Sequence, residues 1–423
     1  MLLPDRFDPR YFERDVLFRW HAGWAGLSHT RASDGTYRDR YGVLQIAPQN
    51  VLRITWQRGR PYMLVEPASQ NLVPHGDDLT KWDKSAAATI TAEAGVWRLA
   101  PTGPVTGQIV AVASTAGVEQ GAEVVVYAEI KRGNHDRVGV SLNGITTLTS
   151  QHVVVDVQTR TVITQGAAVG WVRIDDLDDG WIGVAVYYPD VQGGPTARHA
   201  SVRLVSGTGQ VLTGTGDEYV LIRRVWCEPG SIVTSYIPTA EQPASRAQDL
   251  VQANWSHGAI SMAVCEAGIE AGLRALMNAR AWQIGSGTST SLQRSFQVVM
   301  GSTMLAVSVG NGSAAVSSSA APPPLGAEYQ RLALLEVTGT QARVRLLQRY
   351  RATPGGGSWT DASAAWSNPL DVTPLLREGW QANTLTIGNV AGGNRPGRLI
   401  LSDFFVLRGA DWTMDQIREV VGV

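Results

Sequence analysis

The chain has 423 residues and a formal net charge of −1, with 45 glycines and 17% charged residues. This length predicts two or three domains, and many glycines with few charged residues favour strands and turns over long surface helices. The near-zero charge argues against a nucleic-acid-binding protein. Two cysteines, Cys227 and Cys265, exclude a disulfide framework, and we expect both to be buried thiols.

No segment approaches the ~20 apolar residues of a membrane span. After Met1 the apolar run is too short for a signal peptide, because Arg6 and Asp8 follow at once. We therefore expect synthesis in the cytosol and no membrane partner.

The first 28 residues combine aromatic and arginine side chains without a strand or helix period. The aromatic residues of this segment are Phe7, Tyr11, Phe12, Phe18, Trp20 and Trp24. Such a composition is typical of protein interfaces. Two interpretations are open: an anchor that docks on a larger structure, and a terminal arm that packs on its own domain. Residues 29–75 follow as short leader strands between turns, which completes an N-terminal region of residues 1–75.

Residues 76–240 predict a jelly-roll β-sandwich, because strands with alternating faces follow one another between glycine and aspartate turns. In residues 121–132, one face carries Val124, Val126, Ala128 and Ile130, and the other carries Val125, Tyr127, Glu129 and Lys131. In residues 180–188, one face carries Ile182, Val184 and Val186, and the other carries Trp181, Gly183, Ala185 and Tyr187. We expect a buried face and a partly exposed face that bears aromatic rings.

The chain from 219 to 249 predicts the end of this domain. A strand over 219–228 is stopped by Pro229 and Gly230, a short strand follows over 232–237, and residues 241–249 form a linker. Residues 250–423 predict a second sandwich, with strands at 259–265, 295–300, 304–309, 331–337, 342–349, 385–389 and 397–407. Thr413 and Gln416 have the spacing of a capping box that opens a short terminal helix. The predicted fold class is all-β, with two sandwiches after an extended N-terminal segment.

Two segments resemble parts of virion proteins of bacteriophages, prophages and gene transfer agents. The first, from Thr30 to Leu72, contains Arg31-Ala-Ser33, Ala47-Pro-Gln-Asn-Val51 and Glu66-Pro-Ala68; the second contains Glu228-Pro-Gly-Ser231, Thr234-Ser-Tyr-Ile-Pro-Thr239 and Ser245-Arg-Ala-Gln-Asp249. In such proteins they flank a jelly roll similar to carbohydrate-binding modules, which usually has Gln-Leu-Glu where this chain has Trp226-Cys-Glu228. The last 40 residues resemble the end of a concanavalin A-like (laminin G-like) sandwich.

This resemblance directs attention to sugar binding, in which aromatic rings stack on pyranose faces and polar groups bind hydroxyls. The candidate residues are Tyr127, Glu129, Trp181, Tyr187, Arg224 and Trp226. The alternative is that the aromatic residues belong to the core, where such side chains are equally common.

Metal binding and catalysis find less support in the sequence. The seven histidines are scattered singly, which argues against a zinc site. Asp175, Asp176, Asp178 and Asp179 are a weak calcium candidate, and a solvated turn is the alternative, because no bidentate glutamate follows. No pair of carboxylates with glycosidase spacing, no Gly-x-Ser-x-Gly and no phosphate loop is recognisable. We therefore expect no cofactor and no enzymatic activity.

These observations predict a spike or fibre protein on the surface of a phage-like particle, made in the host cytoplasm. It would bind other virion proteins through its N-terminal segment, form a homo-oligomer, and adhere to host-surface polysaccharide without cleaving it. Three alternatives are open: a structural decoration protein of the head or tail, a capsule depolymerase, and a cellular adhesin.

Overall fold

The computed structural model describes residues 16–21, 27–57, 59–115, 117–143, 151–191, 198–255, 260–269, 279–285, 294–300, 305–324, 326–352, 356–378, 384–387, 399–408, 410 and 412–416. Nearly all regular structure in these residues is antiparallel β-sheet. The predicted all-β fold class is therefore confirmed.

The chain folds into two compact units. One, here called the split unit, consists of Met1–Ala68 together with Ala247–Val423, and the other, the insert unit, is Ser69–Arg246. The sequence placed the domain boundaries differently, with a separate region at 1–75 and a linker at 241–249. The difference arises because the predicted leader strands supply edges and apolar faces to the C-terminal sandwich.

The first segment of the split unit contains β1 (Val16–His21), β2 (Ser28–Thr30), β3 (Gly35–Arg38), β4 (Leu44–Ala47), β5 (Arg53–Gln57) and β6 (Arg60–Val65). The insert unit contains β7 (Ser69–Asn71), β8 (Asp83–Lys84), β9 (Ala88–Glu93), β10 (Val96–Pro101), β11 (Val105–Gly107), β12 (Ile109–Thr115), β13 (Val124–Arg132), β14 (Arg137–Asn143), β15 (Val153–Asp156), β16 (Thr161–Gln165), β17 (Trp171–Asp176), β18 (Trp181–Tyr188), β19 (Arg198–Leu204), β20 (Leu212–Gly214), β21 (Val220–Pro229) and β22 (Ala244–Arg246), with 3-10 turns at Leu79–Lys81 and Asp178–Gly180. The second segment of the split unit contains β23 (Leu250–Asn254), β24 (Met262–Ile269), β25 (Ala279–Gly285), β26 (Ser295–Met300), β27 (Leu305–Gly310), β28 (Ala315–Ala320), β29 (Glu328–Thr338), β30 (Gln341–Arg351), β31 (Thr360–Asp361), β32 (Leu370–Asp371), helix α1 (Thr373–Glu378), β33 (Thr384–Ile387) and β34 (Leu399–Arg408).

The insert unit is a sandwich of two six-stranded sheets, ordered β17-β18-β13-β21-β10-β9 and β16-β15-β14-β19-β12-β8. Its core lies between them and includes the predicted inward residues of β13 and β18, among them Val126, Ile130 and Val184. The alternation seen in the sequence therefore predicted the buried face of both strands correctly. Both ends of the unit are tied together, because β7 and β22 pair through Ser69↔Arg246 and Asn71↔Ala244.

The split unit has a nine-stranded sheet, in which β31-β30-β29-β24-β34-β6-β5 follow in order, β1 pairs with β34 and β32 pairs with β30. Its second sheet has seven strands in the order β2-β23-β33-β25-β26-β27-β28. Side chains from both sheets form one core, in which Trp282 meets Phe296 and Phe404 edge to face. Leader strands complete both sheets, since β6 pairs with β34 and β2 pairs with β23. The leader is thus part of this sandwich and not a separate region.

Residues of the leader and of the predicted linker meet in a buried charge cluster of the split unit. The Asp249 carboxylate accepts hydrogen bonds from His29 Nε2 and Arg31 at 2.9 Å each, from Arg53, and from the Glu66 backbone N–H at 2.8 Å. Arg53 also donates to the Glu66 carboxylate at 2.7 Å. Buried charges remain only where opposite charges and hydrogen bonds compensate them. The predicted linker therefore ends in a buried residue that fixes the leader.

The predicted strand over 232–237 does not form. The Thr234 backbone N–H donates instead to the buried carboxylate of Glu228 at 3.0 Å, and the Thr234 hydroxyl donates to the same group at 2.6 Å. These bonds replace the ladder bonds that a strand would make, so this segment folds over the end of β21 as a loop.

Two sequence predictions concern the ends of the chain: the N-terminal anchor and the C-terminal capping box. In β1 the backbone pairs with β34, with Phe18 opposite Val406 and Trp20 opposite Phe404, as a terminal arm on its own domain would. The remaining proposed anchor residues, which are Phe7, Tyr11, Phe12 and Trp24, lie outside the described residues. The capping box is present: Thr413 N–H donates to Gln416 Oε1 at 2.8 Å, and Gln416 N–H donates back to the Thr413 hydroxyl at 3.3 Å.

A candidate carbohydrate-binding face on the insert unit

The outer face of the β17-β18-β13-β21 sheet gathers the sugar-binding candidates. Strand register places Tyr127 between Ala185 and Trp226, and it places Glu129 between Gly183 and Arg224. Trp181 and Tyr187 occupy the same face of β18, since their neighbours Ile182 and Val186 point into the core. The structure thus brings together all six residues that the sequence singled out, which are Tyr127, Glu129, Trp181, Tyr187, Arg224 and Trp226.

Most of these side chains are buried, whereas the sequence predicted a partly exposed face. Tyr127 is 5% exposed, its ring centroid lies 4.3 Å from that of Trp226, and Tyr236 meets Trp226 edge to face. The Trp226 indole donates to Glu228 at 2.7 Å, and burial raises the pKa of that carboxyl group. These rings therefore form a packed layer beneath the surface and do not offer a free platform for a sugar ring.

Glu129 is also covered, with 1% of its surface exposed. Its Oε2 atom accepts from Arg223 and, at 3.1 Å, from Arg224. A β-bulge explains why two consecutive arginines share this carboxylate: the β13–β21 register shifts after Glu129, so two residues of β21 oppose one. Arg223 in turn lies over the Trp181 ring, 4.6 Å from its centroid. The sequence analysis did not single out Arg223.

A glycine makes room for a second polar group. A Cβ atom on Gly183 would lie 1.7 Å from the Tyr127 hydroxyl oxygen, so a side chain at this position is incompatible with the observed Tyr127. The hydroxyl donates to Asp175 Oδ2 at 3.0 Å. Arg173 donates to the same Oδ2 atom at 3.0 Å, and its Nε atom lies 2.9 Å from Oδ1 without forming a hydrogen bond. Although burial lowers the pKa of Arg173, Asp175 raises it above its ordinary value.

The edge strand β17 contributes a row of half-buried side chains to this face. Trp171, Arg173 and Asp175 alternate outward along it, and all three are half-buried. Trp171 stacks on Tyr187 with ring centroids 5.3 Å apart. Alternate strand residues are about 6.8 Å apart, so the three side chains form a row roughly 13 Å long. The sequence reasoning missed Trp171 and Arg173, although the pattern Trp-x-Arg-x-Asp gives the required alternation.

The acidic cluster does not converge. Asp175 pairs with Arg173, while Asp176 contacts Arg160 and Asp179 contacts Lys131, both at 2.9 Å. Adjacent strand residues point to opposite faces, which separates Asp175 from Asp176. The side chain of Asp178 lies outside the described residues. Across the described ranges, no group of three or more His, Cys, Asp or Glu side chains is arranged to hold a metal ion.

The comparisons with known proteins are limited. No protein-family model and no curated protein matches the chain. Among solved structures, it is similar to domains LG4-5 of the mouse laminin alpha1 chain, with 9% sequence identity and a TM-score of 0.22, covering 78% of this chain and 94% of that chain. The β-sandwich architecture is established by the sheets and cores described above. In the part of the chain that the structure describes, no helix has the length and apolar character to cross a membrane.

Proposed function

We propose that this protein is a surface component of a phage-like particle and that it binds host-surface polysaccharide without cleaving it. The observation that carries the proposal is the row of Trp171, Arg173 and Asp175 on the edge of the insert unit. Polysaccharide binding needs one apolar ring face and several fixed polar groups, and this row supplies both.

The row is held rigid before a ligand arrives. Tyr187 backs the Trp171 ring, while Arg173 and the Tyr127 hydroxyl fix the Asp175 carboxylate. Side chains that are already ordered lose little conformational freedom on binding, which favours affinity at a small site. The buried layer that contains Trp226 and Glu129 thus has a positioning role in this proposal.

Binding without cleavage is favoured by the state of the two acidic residues on this face. Glu129 and Asp175 lie at one level of the sheet with Gly183 between them. A glycosidase needs two carboxyl groups that face a sugar across an open cleft. Here Glu129 is covered and engaged by two arginines, and the Tyr127 hydroxyl occupies the space over Gly183.

The particle location rests on the resemblance of residues 30–72 and 219–249 to phage virion proteins. In this proposal the N-terminal segment joins the protein to other virion components. A single shallow row of three side chains gives weak affinity for a polysaccharide. In this proposal the protein forms a homo-oligomer, and many copies on one particle raise the overall affinity by multivalency.

The test compares the whole protein with its Trp171→Ala variant on an array of bacterial surface polysaccharides. We expect the variant to lose at least about tenfold in affinity, equivalent to about 1.4 kcal/mol. The control is Val211→Ala, which removes an exposed apolar side chain elsewhere in the insert unit and should bind normally.

Three outcomes would contradict parts of the proposal. No binding by the unaltered protein to any host polysaccharide would favour a structural decoration protein. Release of reducing ends from host capsule would favour a depolymerase. Particle purification tests location: deletion of residues 1–15, which precede β1, should abolish incorporation, and unchanged incorporation would refute an anchor in that segment.

A further inference from the structure

A row of arginines lies on the outer face of the nine-stranded sheet in the split unit. Strand β30 alternates strictly: Ala342, Val344 and Leu346 point into the core. The opposite face carries Arg343, Arg345, Leu347, Arg349 and Arg351. Gln341 also points outward, so four of the six outward positions are arginine, although the whole chain carries a net charge of −1.

Two tryptophans interleave with these arginines. The chain from 356 to 371 runs beside β30, where Ala364 N–H donates to Leu346 O at 2.8 Å. From this segment, Trp366 lies 4.6 Å from the Arg343 guanidinium carbon. Trp359 lies 4.9 Å from that of Arg349 and 4.9 Å from that of Arg351. Both indoles are half-buried, so each presents part of a ring together with a stacked cation.

Each arginine is anchored through its Nε atom. The acceptors are Glu336 for Arg343, Ala364 O at 3.0 Å for Arg345, Gln330 Oε1 at 2.6 Å for Arg349, and Glu328 Oε2 at 2.8 Å for Arg351. For Arg343 and Arg345, the terminal amino groups make no hydrogen bond to any other described residue. A guanidinium group has five N–H donors, so these two side chains are fixed and still have donors to offer.

The spacing of the charges suits an extended polymer. Arg343 and Arg351 are eight residues apart on one strand, which corresponds to roughly 27 Å. Glu336 and Glu328 pair with the two end arginines, and Arg345 has no carboxylate partner among the described residues. Arg349 is buried, so the positive charge that a ligand can reach lies on Arg343, Arg345 and Arg351, along one line of the strand and not in a pocket.

We propose that this arginine–tryptophan strip is a second binding site, which takes a linear acidic polysaccharide laid along β30. Arginine forks match carboxylate groups, and the indole faces accept the apolar faces of sugar rings. A nucleic acid is disfavoured by the near-zero net charge, because nucleic-acid-binding domains are strongly basic. The strip belongs to the split unit and uses none of the residues of the insert-unit row, so either site can fail without the other.

The experiment measures binding of polygalacturonate to the full chain by calorimetry, with neutral dextran and a single-stranded oligonucleotide as comparison polymers. The test variant is Arg343→Gln with Arg345→Gln. The control is Arg40→Gln with Arg377→Gln, which removes the same charge from exposed positions of the same unit. We expect the test variant to bind polygalacturonate about tenfold more weakly, the control to bind normally, and added salt to weaken both.

The proposal is overturned if the two double variants bind polygalacturonate equally, because the net charge of the protein, and not the strip, would then explain its attraction for the polymer. It is also overturned if the oligonucleotide binds more tightly than polygalacturonate. Trp171→Ala separates the two sites: it should leave polygalacturonate binding at the strip intact, and a matching loss would assign acidic polysaccharide to the insert unit.

Discussion

The buried charge cluster of the split unit gives the sharpest prediction, which concerns Asp249→Asn. Asp249 and Glu66 are fully buried opposite Arg31 and Arg53. The substitution leaves two buried guanidinium groups with one carboxylate. Removing one partner from a buried ion pair typically costs about 3–5 kcal/mol, because the remaining charge is uncompensated.

A domain of this size loses roughly 2–4 °C in Tm for each kcal/mol. The split unit of the Asp249→Asn variant should therefore melt about 10 °C lower in differential scanning calorimetry. The control is Asp34→Asn, an exposed carboxylate in the same unit, which should change Tm by less than about 2 °C because exposed charges contribute little. The reasoning is refuted if both variants melt alike, or if the transition of the insert unit falls by the same amount.

Three further predictions concern the insert unit. Residues 69–246 should fold alone into a β-rich domain with a cooperative melt, because Ser69 and Arg246 pair and the core is complete. Gly183→Ala should destabilise this unit by about 1–3 kcal/mol in urea unfolding, since the methyl group overlaps the Tyr127 hydroxyl. Burial, with Arg203 nearby, lowers the pKa of His152 to about 4, so the folded state disfavours its protonation. Stability should be full above pH 6.5 and fall by roughly 2 kcal/mol towards pH 4, after allowance for solvent screening.

Each of these three predictions has its own control or contradicting outcome. An aggregated or unstructured 69–246 fragment would show that the insert unit depends on the rest of the chain. For the glycine, Gly209→Ala is the matched control, because a Cβ atom there would lie 3.8 Å from Ser206 O, which is ordinary contact distance. An equal loss of stability in both variants would contradict the steric argument. His152→Asn should flatten the stability profile between pH 6.5 and 4, and an unchanged slope would assign the titration to another group.

The sequence predicted features that depend on local periodicity. The alternation in β13 and β18 identified Val126 and Val184 as core residues, and the Thr413 spacing identified the terminal capping box. Features that depend on distant partners were not predictable. The Arg223 position follows from a bulge opposite Glu129, and no local pattern encodes it.

The prediction that the candidate site is partly exposed was wrong for a related physical reason. Alternation reports which residues share a face, but it does not report what covers that face. Tyr127 and Trp226 are on the expected side of the sheet and are buried by each other and by Tyr236. The prediction that the leader strands form a separate region was wrong for the same reason. Val65 pairs with Leu399, over 300 positions later in the chain, and no local pattern indicates this pairing.

The pairing of Ser69 with Arg246 brings the entry and exit of the insert sandwich side by side. Two neighbouring backbone positions therefore delimit the whole insertion, and the Glu66 N–H bond to the Asp249 carboxylate closes the chain of the split unit just outside them.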